Sequence, residues 1–190
     1  YLRVPFRTSL VQSQKVPSRG EAAALGAIAE DVADKMEPGE LYIIGPGTTT
    51  RAIAQELGLG KTLLGVDVVE AGPWSEEDVR RSARLVAMDV NEAQLLARLD
   101  EHADRAKIIV TPIGGQGYLF GRGNQQISPR VIERVGRENI IVVSTPDKLH
   151  ALGAQPLLVD SGDPDVDEMM SGYIMVVTGY NQQAVRKVAT

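Results

Sequence analysis

The sequence predicts an α/β fold in which a largely parallel sheet is flanked by helices. Short apolar segments rich in β-branched residues alternate with stretches whose apolar residues recur at helical spacing. Nearly every predicted strand is followed by glycine or proline, as is typical of strands that lead into helices in parallel sheets. The 190 residues fit one domain, so we expect residues 1–190 to form a single α/β domain. Because the chain opens with Tyr1 rather than Met, we also expect it to be a piece of a longer protein.

Composition argues against several classes of function. The chain has no cysteine, which excludes disulfides, thiolate zinc sites and cysteine nucleophiles, and its 2 histidines are too few for a multi-histidine metal centre. Its 25 acidic residues exceed its 20 basic ones, which argues against a nucleic-acid partner because phosphate contacts need a basic surface. No apolar run approaches the roughly 20 residues of a membrane span, and no signal peptide is visible. We therefore expect a cytoplasmic protein with no membrane partner; a homo-oligomer stays open.

Capping residues mark the predicted helices. Ser18 with Glu21 and Asn91 with Gln94 form capping boxes, and Ser128-Pro129 supplies the cap and first residue of another helix. The predicted helices run from Ser18 to about Met36, from about Thr49 to Leu57, from Asn91 onward, from Ser128 to Val135 and, weakly, over Asp147–Leu152.

Short apolar runs mark the strands. They are Leu41–Ile44, Thr62–Val69, Ile108–Thr111, Ile140–Val143, Leu157–Val159 and Tyr173–Val177. The polar stretch Ser75–Arg84 predicts a solvated excursion, after which Leu85–Met88 can return and pair with Thr62–Val69 as a hairpin near residues 62–88. Ligands bind at the carboxyl ends of parallel strands. We therefore expect functional residues in the loops after Ile44, Val69, Thr111 and Val143.

The loop after Ile44 is the first candidate ligand site. Glycines let the backbone approach a ligand closely, and the free N–H groups at a helix start favour an anion. We predict that a phosphate or nucleotide contacts Gly45, Gly47, Thr48, Thr49 and Thr50. The alternative is a tight strand-to-helix turn in which Thr48 is only the helix cap.

The segment after Thr111 is the second candidate. Five glycines lie between positions 114 and 123, and ordering so many glycines costs conformational entropy that a simple connection would rarely need. The predicted ligand contacts are Gly114, Gly115, Gln116, Gly117, Arg122, Gly123, Asn124 and Gln125. The alternative is a mobile surface loop with solvated polar side chains.

Two motif-like segments are rejected. Gly58-Leu59-Gly60-Lys61-Thr62 looks like the end of a phosphate-binding Walker A loop, but it follows a helix and precedes a strand, the reverse of the required order. Asp163-Pro164-Asp165 imitates the start of a calcium loop, but the glycine and glutamate needed at loop positions six and twelve are missing. We assign no metal ligand.

Three segments together resemble a known family: Ile43–Arg51, Ile109–Ile132 and Val142–Leu149. They are similar to the C-terminal part of ATP-NAD kinase-like proteins of the acetoin-catabolism type, and Tyr1–Pro5 and Asp160–Asp163 fit the same pattern. The resemblance implies phosphoryl transfer from ATP to the ribose 2′-hydroxyl of NAD, with Mg²⁺. It also implies that this chain is the C-terminal part of its parent protein.

The chain departs from the family's Gly-Gly-Asp-Gly-Thr signature, whose aspartate activates the hydroxyl. Its nearest segment is Gly114-Gly115-Gln116-Gly117-Tyr118, and a glutamine can neither accept the proton nor hold magnesium as a carboxylate does. We therefore assign no catalytic residue, and expect the catalytic loop to lie outside this chain and the isolated chain to be inactive. Asp67, Asp160 and Asp163 are the carboxylates best placed to substitute. The alternative function is a non-catalytic sensor or scaffolding domain that binds a phosphorylated metabolite.

Overall fold

The computed structural model describes residues 17–190, which form a nine-stranded sheet flanked by six α-helices. This arrangement confirms the predicted α/β class. The helices are α1 (Arg19–Lys35), α2 (Thr48–Glu56), α3 (Glu92–Glu101), α4 (Pro129–Val135), α5 (Pro146–Leu152) and α6 (Pro164–Met170). The strands are β1 (Leu41–Ile44), β2 (Asp67–Ser75), β3 (Arg80–Ala87), β4 (Ala106–Val110), β5 (Tyr118–Phe120), β6 (Ile140–Val143), β7 (Leu157–Val159), β8 (Gly172–Gly179) and β9 (Gln182–Ala189). The Tyr1–Pro5 part of the resemblance lies outside the described residues.

The sheet is mostly parallel, with the strand order β3-β2-β1-β4-β6-β8-β9-β7-β5. Among the described residues, five strand pairs are parallel and three are antiparallel. The neighbouring strands β1, β4, β6 and β8 all run in the same direction. Their carboxyl ends therefore meet along one edge of the sheet, which we call the carboxyl edge.

The sheet curls strongly between β4 and β5. These strands lie five positions apart in the sheet, which in a flat sheet would separate them by about 24 Å. Ile113 is the third residue after Val110, so their Cα atoms are at most about 10 Å apart. Ile113 nevertheless pairs directly with Tyr118 at the start of β5. The curl therefore keeps the glycine-rich turn between β4 and β5 close to the carboxyl edge.

Helices cover both faces of the sheet. Helices α1 and α2 pack on one face, over a buried cluster that includes Ile28, Tyr42 and Ile53. Helices α3, α4, α5 and α6 contribute to a second cluster, which the curl of the sheet encloses and which includes Leu95 and Phe120. No helix within residues 17–190 is long and apolar enough to cross a membrane.

The predicted hairpin is present, but its strands differ from those expected. Strands β2 and β3 pair antiparallel, the first strand residue is Asp67 rather than Thr62, and Arg80–Arg84 lie in β3 instead of a solvated excursion. Since β3 is an edge strand, its charged side chains reach solvent while its backbone still pairs. Arg81 also links β3 to α1, because its guanidinium donates to two carbonyl oxygens near the end of α1 at 3.1 and 2.9 Å.

Strand β5, helix α6 and strand β9 have no counterpart in the sequence prediction. Helix α6 is only 7 residues long, too short for a helical pattern to show, and Asp163 caps it by accepting from the amides of Asp165 and Val166. Strand β9 pairs with β8 along most of its length. Its exposed residues include Gln182 and Gln183, so it lacks the apolar character that marks a strand in sequence.

Candidate functional site

The carboxyl edge brings the first candidate loop against the end of β4. The Gly45 amide donates to the Ile109 carbonyl oxygen at 2.9 Å. A Cβ atom added to Gly47 would lie 2.7 Å from the Cγ2 atom of Thr111, so only glycine lets these two segments approach so closely. The loop after β1 and the first residue after β4 therefore form one continuous surface.

Helix α2 begins at this surface without a side-chain cap. Its N-cap is Gly47, which has a φ of 131° and makes no capping hydrogen bond. The alternative interpretation of Thr48 as the cap is therefore wrong: Thr48 is the first helical residue, and it is exposed. Thr49 is buried. Among residues 17–190, the amides of the first helical turn thus have no side-chain acceptor, which is the arrangement that favours an anion.

Thr50 has a structural role. Its buried hydroxyl donates to the carbonyl oxygens of Gly45 at 2.7 Å and Gly47 at 3.1 Å. That hydroxyl proton holds the loop in shape and is not available to a ligand, while the predicted ligand contact of Thr50 stays a prediction.

Thr111 carries a buried hydroxyl with no partner among the described residues. The residue is 5% exposed, and leaving a buried polar group unpaired costs about 1–3 kcal/mol. Such groups in native proteins are usually satisfied by a water, an ion or a ligand. Thr111 is not among the contacts predicted from sequence, where only its place at a strand end could have indicated it.

The glycine-rich segment begins with a tight turn. Ile113 and Tyr118 exchange both backbone hydrogen bonds, and the Gly117 amide donates to the Gly114 carbonyl oxygen at 3.3 Å. Gly114 and Gly117 have φ values of 71° and 75°, which explains glycine at both positions. Gly115 and Gln116 form the exposed tip of the turn.

The second half of this segment is held by β5 and β7. Gly121 has a φ of 93°, and a Cβ atom there would overlap the backbone carbonyl of Asp160. Asn124 is fully buried and donates from Nδ2 to the Leu119 carbonyl oxygen at 2.8 Å, while its Oδ1 has no partner among the described residues. Gly123 has a φ of 71°, and Gln125 is exposed. Much of the glycine content therefore serves the fold.

Arg122 is the cation that this segment offers to solvent. Its guanidinium lies 4.5 Å from the centroid of the Tyr118 ring, an arrangement that orients an arginine without neutralising its charge. No ion pair with a described residue engages it. Arg122 can therefore still make a paired contact with a phosphate.

The loop after β6 adds a half-buried lysine near the same edge. The Ser144 amide donates to the Val177 carbonyl oxygen at 3.0 Å, and Thr145 caps α5 through the Lys148 amide. Burial lowers the pKa of the Lys148 side chain. By contrast, β2 runs antiparallel to β1, so the loop that follows it lies at the opposite edge and the expected functional loop after Val69 is not at the site.

Two of the three strand-end carboxylates are held by the fold, whereas Asp160 is exposed. Asp67 lies at the carboxyl edge, paired in register with Ile44, but its two oxygens accept four hydrogen bonds, from Lys61 Nζ, the Thr62 amide and hydroxyl, and the Asp89 amide. Asp163 caps α6. Within residues 17–190, no group of three or more acidic or histidine side chains is placed to hold a metal ion. Since Mg²⁺ is usually held by one or two carboxylates together with substrate phosphates, the Mg²⁺ that the resemblance implies stays a prediction, and we assign no step to it.

Comparison with known families identifies a match over most of the chain. The ATP-NAD kinase C-terminal domain family matches residues 38–188, a range that includes the loop after β1, Thr111 and the whole glycine-rich segment. Comparisons with curated proteins and with solved structures give no significant match. Since the family match covers far more than half of the chain, the chain belongs to the family of ATP-NAD kinase C-terminal domains.

Proposed function

We propose that this chain binds an adenine nucleotide, NAD or ATP, at the carboxyl edge as part of a cytoplasmic ATP-NAD kinase of the acetoin-catabolism type. Membership of the family implies binding of a small-molecule nucleotide. The observation that carries the location is the buried hydroxyl of Thr111, which has no partner among the described residues. The Cγ2 methyl of the same side chain packs against Gly47, the N-cap of α2. A phosphate oxygen there would accept from this hydroxyl and from the free helix amides.

Each candidate residue has a distinct role in this proposal. Gly45 and Gly47 allow the backbone to approach the phosphate, and the Thr48 and Thr49 amides donate to it. Arg122 binds a second phosphate or ribose phosphate oxygen. Gly115, Gln116 and Gln125 are the exposed positions from which the glycine-rich segment reaches the rest of the nucleotide; Gly114, Gly117, Gly123 and Asn124 shape that segment.

The reaction proposed for the parent protein is phosphoryl transfer from ATP to the 2′-hydroxyl of NAD. That step needs a group that accepts the hydroxyl proton. The chain lacks the Gly-Gly-Asp-Gly-Thr signature, and Asp67 is saturated with hydrogen bonds. We therefore propose that this domain binds and orients the nucleotide while a carboxylate elsewhere in the parent protein accepts the proton, so that the chain alone forms no NADP.

Thr111→Val should weaken nucleotide binding without weakening the fold. Removing the unpartnered hydroxyl should leave the free energy of unfolding unchanged or raise it by about 1 kcal/mol. The dissociation constant for NAD or ATP should rise roughly tenfold, as expected for one lost hydrogen bond to a charged group. Urea unfolding and calorimetric titration measure the two effects.

Thr50→Val is the matched control. Its hydroxyl is satisfied by the loop, so this variant should lose about 1 kcal/mol of stability. If Thr111→Val is instead destabilised as much as Thr50→Val and binds nucleotide as wild type does, Thr111 is structural and the location is wrong.

Arg122→Ala should reduce nucleotide affinity by about ten- to hundredfold, which corresponds to the loss of a charge-assisted contact. Stability should change by less than about 0.5 kcal/mol, because the side chain is exposed. Arg130→Ala, which removes an exposed arginine from α4, should leave both properties unchanged.

Gly115→Val tests the turn tip. A Cβ atom at Gly115 meets nothing within 4 Å, and its backbone is not in the left-handed region. Gly115→Val should therefore keep the stability of wild type, and only its nucleotide affinity should fall. Titration that shows wild type binding neither NAD, NADP nor ATP would favour the sensor function, and NADP formation by the chain alone would show that it contains a base.

A further inference from the structure

Among the described residues, helices α1 and α2 leave an open groove of about 640 Å³ between them. That volume is in the range of small-molecule binding sites. The residues of α1 that line it recur at helical spacing, as do those of α2, so each helix presents one face to the groove. The lining residues include Pro17, which precedes α1, Leu25 and Gly26 of α1, and Thr48, Arg51 and Gln55 of α2.

One end of the groove is the start of α2. Thr48, the first helical residue, lines the groove and is exposed, and Arg51 lies one turn further along. The groove therefore reaches the first turn of α2, whose amides have no side-chain acceptor among the described residues and form part of the proposed phosphate site. Its walls are small and apolar, and a Cβ atom at Gly26 would meet nothing within 4 Å.

The other end of the groove is polar. Gln55 and Glu56 lie about two turns from Thr48 on α2, which places them about 10 Å along the helix axis. A ligand in the groove would thus meet cationic and amide donors at one end, apolar walls in the middle, and amide and carboxylate groups at the far end. A nucleotide carries phosphate at one end, then a ribose, then a base with apolar faces and a hydrogen-bonding edge. The apolar walls of the groove therefore match the faces of the base, and its polar far end matches the base edge.

We propose that the α1–α2 groove binds the purine base of the nucleotide whose phosphates lie at the start of α2. The inference rests on the proposed nucleotide function and adds the position of the base. The base lies between α1 and α2 near Gly26, and the Gln55 side chain meets its polar edge. Arg51 stays near the phosphates.

Gly26→Leu tests the assignment, since a leucine there fills the open space of the groove. We expect this variant to bind ATP or NAD about tenfold more weakly than wild type, because the base loses apolar contact area. Its affinity for inorganic tripolyphosphate should match that of wild type within about twofold, because the phosphate site is intact. Gly26→Ala, which leaves the groove open, and Gly20→Leu, which adds a leucine to α1 outside the groove, should bind ATP as wild type does.

The outcomes separate the two proposals. If wild type binds neither the nucleotides nor tripolyphosphate, the nucleotide function fails and the groove assignment fails with it. If wild type binds ATP and Gly26→Leu binds it equally well, the function stands and the base lies elsewhere. If Gly26→Leu melts at a lower temperature than Gly26→Ala and Gly20→Leu, another part of the chain fills the groove, and the assignment to a base is overturned.

Discussion

Replacing Asp67 with Asn should lower the free energy of unfolding by about 3–5 kcal/mol, the loss expected when one partner of a buried ion pair is removed. The Lys61 and Asp67 side chains are each 1% exposed, and their nitrogen and oxygen lie 3.2 Å apart. The substitution would leave the Lys61 ammonium buried without its counter-charge. It would also weaken the hydrogen bonds that tie the Thr62 and Asp89 backbone to the start of β2. Urea unfolding of both proteins at pH 7 measures the difference.

This effect should depend on pH in a defined direction. Burial alone would raise the pKa of Asp67, but the hydrogen bonds from Asp89 and Thr62 and the charge of Lys61 outweigh it and hold the pKa below its ordinary value. The unfolded chain then binds more protons than the folded one below the ordinary aspartate pKa of about 3.9. The stabilisation is therefore complete above that pH and is lost as the pH falls towards the folded pKa, so the gap between wild type and Asp67→Asn should narrow in acid.

Glu101→Gln is the control for a charge lost at the surface. Glu101 pairs with Arg98 on the exposed face of α3, where such a pair contributes about 0.3–0.5 kcal/mol. If Asp67→Asn costs no more than Glu101→Gln, the buried network does not anchor the hairpin.

Gly121→Ala should be the most damaging single change in the glycine-rich segment, with a loss of more than about 3 kcal/mol. The added Cβ atom would overlap the backbone carbonyl of Asp160, and the φ of 93° is one that alanine rarely adopts. To relieve this overlap, β5 would have to move away from the residues that follow β7. That movement would break the hydrogen bond from the Asp160 amide to the Phe120 carbonyl oxygen. Thermal or urea unfolding measures the loss.

Alanine substitutions at two nearby glycines serve as controls for this prediction. In Gly123→Ala the added Cβ atom would contact only the Ile113 side chain, at 3.6 Å, but the residue would keep a φ of 71°. Its free energy of unfolding should therefore fall by about 1–2 kcal/mol from backbone strain alone. In Gly115→Ala the added Cβ atom would meet no neighbouring atom within 4 Å, and the backbone is not in the left-handed region. Its free energy of unfolding should therefore stay within about 0.5 kcal/mol of wild type. Equal losses in all three variants would mean that the segment adapts and that the close approach of Gly121 to Asp160 does not constrain the fold.

Local signals in the sequence predicted much of the fold. The Asn91–Gln94 capping box forms with both reciprocal hydrogen bonds, and Ser128 and Gly136 begin and end α4 as expected. Strand β6 has the predicted bounds. These features depend on residues within one turn of each other, so the sequence states them directly.

Features that depend on distant partners could not be predicted in the same way. The curl of the sheet follows from which strands pair, and pairing is not visible in a single strand. The charged residues Arg80–Arg84 predict a solvated segment, but they form an edge strand. An edge strand tolerates charged side chains on its exposed face, so its sequence resembles that of a loop. Gly114 and Gly117 are predicted ligand contacts, and the positive φ values of the turn by themselves explain glycine at both positions. Gly121 is explained by its close approach to the Asp160 carbonyl. Thr111 could not be predicted as a candidate ligand contact, because the burial of its hydroxyl and the lack of a partner among the described residues depend on the folded structure.

Hydrogen–deuterium exchange of the wild-type chain with and without saturating NAD or ATP tests the central claim most directly. If a nucleotide lies at the carboxyl edge, amide exchange should slow in residues 45–51 and 111–126, while the turn at residues 76–79, at the opposite edge of the sheet, should exchange as before. Slower exchange elsewhere, with both of these segments unchanged in the nucleotide-bound protein, would contradict the account.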